Sequence, residues 1–592
     1  MTDASVNARV SARGHIWADT VRQSAAQISA TARNLSYRTW PYRLSLAGPM
    51  PDRVLCYPVD LRPVSGRFAA ALMEGRYAFP GGTVAAQPTT APWRLVPPND
   101  HWAEALHGFA WLRHFEARRD ESARQHLHWL VTAWLDNCGG WHDVAWRPHV
   151  IARRLISWFS HGRLLLDSGD AIWRSSVLRS MAFQARHLSR TARLAADGDP
   201  RLTAAVGLCL SGVCLPDGKR RLERGLQLLK RELERQILGD GGHVTRNPEA
   251  QLTTCVDLLA LKDALEARKR KVPTFLNDLA SRMAPLLRFF RHGDGRLALF
   301  NGAMEGEAGA IEAVLARGDA KGRAPQSLPA MGYERLRAGR TLVLVDTGAP
   351  PRGAFSTHAH AGCLAFEMSC GRHRLIVNCG STPSRGEEWL SASRTTAAHS
   401  TVALADRSSA RFVKRRWLTR LIGPRIAEGP ADVESQRLES DAGLWLTASH
   451  DGYAGRFHLI HERRLYLNAE GDDLRGEDLL RPPEPGPRRR GPLDRKPNNP
   501  AVPFAVRFHL HPDVRASLSR DAALVLLILP NGDGWQFRTN RSSLSLEDSV
   551  YLGAADDVRR SRQIVVSGVA DPAERTSVKW AIHRLSRKTG GP

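Results

Sequence analysis

The chain has 592 residues, 42% of them hydrophobic, and 84 Lys plus Arg against 60 Asp plus Glu leave a net charge of +24. That length favours two to four domains with ample core, and the even spread of Leu, Val, Ile and Phe excludes a disordered chain. The longest clean apolar run, Ala522–Leu529, falls far short of the roughly 20 residues that span a bilayer, so no membrane-spanning protein is expected.

Residues Met1 to Ala30 hold Asp, Asn, Arg, Ser and Gln with no apolar core, so no secretory signal is visible and the residues alone point to a cytoplasmic or unconventionally routed protein. An N-terminal extension is expected over 1–89. The following stretch reads as helices. Leu222, Leu226, Leu229, Leu233 and Ile237 recur at three- and four-residue steps, and Gly239-Asp240-Gly241-Gly242 stops that run. Similar stretches cover about 101–116, 121–136, 149–166, 171–195, 201–215, 250–268 and 274–290, which predicts an array, bundle or toroid over 90–320.

After residue 320 the pattern changes. Thr341–Asp346, Cys363–Cys370, Arg374–Cys379, Thr401–Ala405, Leu444–Ser449, Phe457–Leu467, Phe504–Leu510 and Ala523–Leu529 are short runs rich in branched and aromatic residues, separated by Gly, Pro, Asn and Asp. They predict an all-β sandwich over 325–592, with Leu364, Phe366 and Met368 on one buried face. Pro482–Pro503 reads as a long exposed loop inside it. Eight cysteines are too few for a disulfide scaffold, and Cys209 and Cys214 read as small buried hydrophobes.

The densest chemistry opens the β half: Thr357-His358-Ala359-His360-Ala361-Gly362, then Asn378, then Arg394-Thr395-Thr396-Ala397-Ala398-His399-Ser400-Thr401-Val402. On a strand, the H-x-H would place both rings on one face. Imidazoles suit zinc, and they also move protons near neutral pH.

These segments, with Leu364-Ala365-Phe366-Glu367-Met368 and Ile376-Val377-Asn378-Cys379-Gly380 between them, resemble the heparinase II/III family of polysaccharide lyases. The stretches His450-Asp451-Gly452-Tyr453 and Arg507-Phe508-His509-Leu510-His511-Pro512, and Gly239-Asp240-Gly241-Gly242-His243 in the helical half, extend the likeness over about 90–590. The resemblance implies an N-terminal (α/α) toroid followed by an antiparallel β-sandwich domain. It also implies β-elimination on an acidic, uronate-containing polysaccharide such as a glycosaminoglycan, and a periplasmic or envelope location. His358 would stand at the catalytic end of the cleft, and His360, Asn378 and His399 would hold a divalent metal, zinc. No nucleic-acid motif or membrane partner is implied.

Departures from the family pattern accompany the match. Asn378 replaces a metal-binding Asp, and a neutral amide is the poorer zinc ligand. Gly362 replaces another Asp. Alanine, Ala250, stands where the toroid tyrosine is expected, and no tyrosine lies between Tyr77 and Tyr333.

What remains near the cleft is His243, Arg246, Asn247 and Glu249. Arg246 is expected to neutralise a carboxylate, and His243 or Glu249 to transfer protons. Asn247-Pro248 can also simply cap the next helix. The turn-rich connector from Arg291-His292-Gly293-Asp294 to Asn301-Gly302 reads chiefly as loop packing. Arg394, Trp141 and Trp146 complete the candidate substrate contacts, the two tryptophans lying in a loop before a helix. The leading expectation is a lyase, and the alternative is a catalytically impaired acidic-glycan-binding protein of the same fold.

Overall fold

The Leu222–Ile237 periodicity becomes a helix over Lys219–Gln236 in the computed structural model, with Leu228, Leu229 and Leu233 buried. The structure describes residues 17, 20–21, 23–24, 29–167, 169–317, 322–382, 385–484, 500–541, 543–554 and 557–585. Most of the expected Pro482–Pro503 loop lies outside them.

Small residues let the helices approach closely. A Cβ on Gly225 would meet Cys209 Sγ at 2.7 Å, and one on Gly207 would meet the Ala152 Cβ at 2.5 Å. Helix Asp199–Cys214 is therefore gripped between Lys219–Gln236 and Pro148–Ser160. Further long helices of the α half lie at Glu121–Cys138, Ala171–Thr191, Pro248–Ala267 and Thr274–Phe290. Within residues 1–89 the chain forms a hairpin, Arg76–Phe79 with Gly82–Ala85. Leu46, Leu72, Tyr77 and Phe79 join the same apolar core as the helices, because their large side chains are otherwise left in water.

Among the described residues the β half is built on two large antiparallel sheets, with a small two-stranded one at Arg411–Phe412 and Ile426–Glu428. One runs Val433–Ser440, Gly443–His450, Ile460–Asn468, Asp473–Arg481, Thr576–Arg584, Gly534–Thr539, Leu524–Ile528 and Arg515–Leu518. The other runs Leu544–Tyr551, Arg559–Ala570, Val502–Leu510, His373–Val377, Phe366–Cys370, Thr341–Asp346, Tyr333–Ala338 and Ser327–Leu328, with Val402–Leu404 also paired to Val502–Leu510. Between the sheets, Phe366 stacks on Trp580 with ring centroids 5.5 Å apart. The architecture is an (α/α) toroid followed by an antiparallel β-sandwich.

Strand Thr341–Asp346 shows how the halves join. Val343 and Val345 enter the sandwich core, whereas Leu342 and Leu344 enter the helical core. Every residue of that strand is buried. The one-sided alternation expected of Cys363–Cys370 fails for the same reason: the strand is Phe366–Cys370 and is buried on both faces. Sheets covered on both sides lose their polar face.

Candidate functional site

The connector after Phe290 does more than pack. His292 Nε2 lies 3.0 Å from Glu367 Oε2, and Asp294 receives the Arg374 guanidinium. Asn301 spans the junction: its Nδ2 donates to the Tyr333 hydroxyl at 2.8 Å, and its Oδ1 accepts from the His360 backbone N–H at 3.2 Å. Tyr333 in turn donates to the Arg246 carbonyl at 2.7 Å.

Arg246 occupies the left-handed region at φ +59°, unusual for a side chain of that size. Its guanidinium donates to the carbonyls of Met331, Gly332, Gly348 and Ala349 and to Asp346 Oδ1, the last at 2.5 Å. It also lies over the Tyr333 ring. This corrects the expectation that Arg246 clamps a substrate carboxylate. Its charge is already matched and its donors are spent on the joint between the two halves.

The H-x-H segment is a loop, not a strand, so the two rings do not share a face. His358 reaches solvent. Surrounding protein lowers its pKa, an effect Asp199 opposes and His101 and Arg394 reinforce. His360 is buried and its Nδ1 lies 3.1 Å from His399 Nε2. His399 Nδ1 must donate to the Thr395 carbonyl at 2.7 Å, which leaves its Nε2 to accept from His360.

Asn378 faces elsewhere. Its Oδ1 accepts from the Ser400 N–H at 3.1 Å, and its Nδ2 donates to Glu367 Oε1 at 3.2 Å. An Asp at this position would confront the Glu367 carboxylate. The three residues therefore do not fit the metal centre that the resemblance implies. The two imidazoles satisfy each other, and the amide oxygen that would be the third ligand is spent on a backbone N–H.

His107, Cys138 and His142 form a second group whose ligand atoms lie within 4.8 Å of one another. Here Trp134 Nε1 donates to His107 Nδ1, and the Val144 and Ala145 N–H groups donate to His142 Nδ1. Such donors place each ring's proton on Nε2, the reverse of a ligating histidine whose Nδ1–H donates outward. Nothing in the donor set identifies zinc.

A cavity of about 320 Å³ opens in the α half, lined by residues of the helices Pro148–Ser160, Asp199–Cys214 and Pro248–Ala267. Asn247 caps the last of these, its Oδ1 accepting from the N–H groups of Glu249 and Ala250 at 2.7 and 3.0 Å. It lines the cavity as well, so capping and cavity lining coincide. Ala250 also lines it. The Glu249 carboxyl accepts from the Met304 N–H, and burial raises its pKa. Burial alone would raise Asp257 too, but Arg153 and Arg62 hold it below the usual carboxylate range. His243 is fully buried with Nε2 facing Asp199 Oδ1 at 3.5 Å, and burial lowers its pKa against the opposing pull of Asp199.

Asp199, Arg153 and Asp257 are cavity residues that the sequence reading missed. Asp199 had one available signal, its position in Gly198-Asp199-Pro200 at a helix start. Arg153 and Asp257 had none, because each sits among helix residues of ordinary composition.

Two other expectations are corrected. Arg394 is buried and donates to the carbonyls of Ala359, Pro424 and Ser356, so it ties the His358 loop down instead of presenting itself to a ligand. Trp146 is 5% exposed, with its indole N–H on the Cys138 carbonyl. Trp141 packs between Tyr37 and Trp146. Trp146 is core, and Trp141 is half-buried against it, so their rings are engaged with other aromatics.

Toroid, sandwich and a cavity beside their junction define the polysaccharide-lyase fold, and the comparisons with known proteins agree. The description "Heparinase II/III-like, C-terminal" matches residues 320–581. A crystal structure of heparinase III superposes with a TM-score of 0.67 at 15% identity, over 95% of this chain and 90% of that one. A mutant heparan sulfate lyase HepC from Pedobacter heparinus gives 0.56 at 17% identity, over 98% and 90%. FtsZ-localized protein C of Caulobacter vibrioides is 34% identical over 569 residues, 94% of this chain and 95% of that protein. The chain belongs to the heparinase II/III-like family. Among the described residues no helix is long and apolar enough to cross a membrane.

Proposed function

We propose that this chain binds an acidic polysaccharide without cleaving it, using a lyase scaffold that has lost its elimination chemistry. The observation that carries this reading is Ala250 lining the cavity where the family pattern leads one to expect a tyrosine. Elimination needs an acid within reach of the leaving oxygen and a group that neutralises the uronate carboxylate. The Tyr333 hydroxyl and the Arg246 guanidinium are both consumed in the joint, and the metal triad is not assembled. The net charge of +24 still draws a polyanion to the surface.

The experiment pairs calorimetric binding with the ultraviolet absorbance of the 4,5-unsaturated uronate that elimination creates. Binding to at least one acidic polysaccharide with no absorbance rise is expected. A rise that disappears in His358→Ala would restore the lyase reading.

A second reading concerns place. The relative from Caulobacter vibrioides is named for its localisation with FtsZ, and it matches nearly the whole chain. On this reading the glycan-binding scaffold works at the site of FtsZ. A fluorescent fusion is expected to coincide with FtsZ, and a diffuse or polar signal would remove the reading.

A further inference from the structure

The charges around the cavity do not suit the ligand that the family name suggests. Arg153 is the only basic side chain among the described residues that line it. It is already bound to Asp257, which also receives Arg62 at 2.5 Å, and Arg62 is shared with Asp60. Two arginines against two carboxylates leave that wall neutral. Glu249 contributes a carboxyl on a second wall.

Asp199 is different. Its side chain is 53% exposed, and among the described residues its ion-pair partner is the His243 imidazole at 3.5 Å, with no lysine or arginine beside it. Beside it lies the fully buried His243, whose Nε2 has no hydrogen-bond partner. A polar atom so placed is costly unless something completes its hydrogen bonding. The His358 loop closes over this end: the Phe355 ring lies 3.7 Å from the point where a Cβ on Gly198 would stand. A uronate carboxylate here would meet the Asp199 carboxylate, with no lysine or arginine among the described residues paired to it.

We infer that the cavity takes an amino sugar, its protonated amine paired with Asp199, and not a uronate. This rests on the saccharide-binding reading above and names the residue of the polymer that enters. The cationic surface gathers the polyanionic chain, and the cavity selects within it. Hydroxyl groups of the same sugar fall to Asn247, Thr203 and Glu249, polar groups on the same lining.

The test is calorimetry with three oligosaccharides of equal length: glucosamine, N-acetylglucosamine and a uronate. The wild-type chain and Asp199→Asn are compared, with circular dichroism to check folding. The glucosamine oligomer is expected to bind the wild type about tenfold more tightly than its acetylated counterpart, as a charged hydrogen bond of about 1.4 kcal/mol requires. Asp199→Asn should remove that preference and leave uronate binding unchanged or tighter, while Asp199→Glu should restore part of it. If Asp199→Asn leaves glucosamine affinity intact, or weakens uronate binding, the inference fails while glycan binding stands. If no oligomer and no acidic polymer binds, both fail.

Discussion

Arg246→Ala is expected to lower the free energy of unfolding by about 3–5 kcal/mol, the cost of stranding a buried charge. The substitution removes five donors at once. Four carbonyls and Asp346 lose their partner, and the Tyr333 ring loses the cation above it. Because Arg246 belongs to the helical half and these groups to the β half, the damage should be felt as loss of cooperativity between the halves. Chemical denaturation followed by tryptophan fluorescence would show one transition in the wild type and an earlier or split one in the variant. Pairing Arg246→Met with Asp346→Leu should cost less than Arg246→Ala, since no buried charge is then left alone. A single variant as stable as the wild type would mean that the joint does not hold the halves together.

The second large effect is acid sensitivity. His114, His187 and His509 are buried, and desolvation pushes each down to about 3. Their bonds fit the neutral form: His114 Nδ1 accepts from the Ser65 N–H, and His509 lies between Ser549 and the Ala397 carbonyl. A histidine whose folded pKa lies below its unfolded value of about 6.5 stabilises the fold fully above that value. It gives the stabilisation back as the pH falls toward the folded pKa.

At pH 5 each ring withdraws about 2 kcal/mol, and three withdraw on the order of 6 kcal/mol, comparable with the whole stability of a domain. Thermal melts between pH 7.5 and pH 5 should therefore show a steep fall, and His187→Gln should flatten it by about one proton. A melting temperature independent of pH over that range would contradict the buried-neutral assignment.

The periodicities alone determined that a helical half gives way to a strand-rich one. Leucines at three- and four-residue steps require a helix to hide them, and branched residues between turn formers require strands, whatever surrounds them. The ordered histidine segments, quoted against a family pattern, were enough to place the toroid before the sandwich. Asn247-Pro248 announced its cap because capping is a matter of neighbouring residues.

Tertiary structure decided what each candidate side chain does. The alternation in Phe366–Cys370 gave no hint that its second face meets the helical half. Whether Arg246 and Arg394 greet a ligand or a ring of carbonyls depends on loops 30 to 103 residues away in the chain. Asn378 could be weighed as a ligand from its chemistry, but only packing turned it to Glu367 and Ser400. Arg153 and Asp257 carry no local signature at all, and Asp199 only its place at a helix start. Their meeting around one cavity is a property of how three helices cross, and burial and charge compensation act on distances that sequence spacing does not encode.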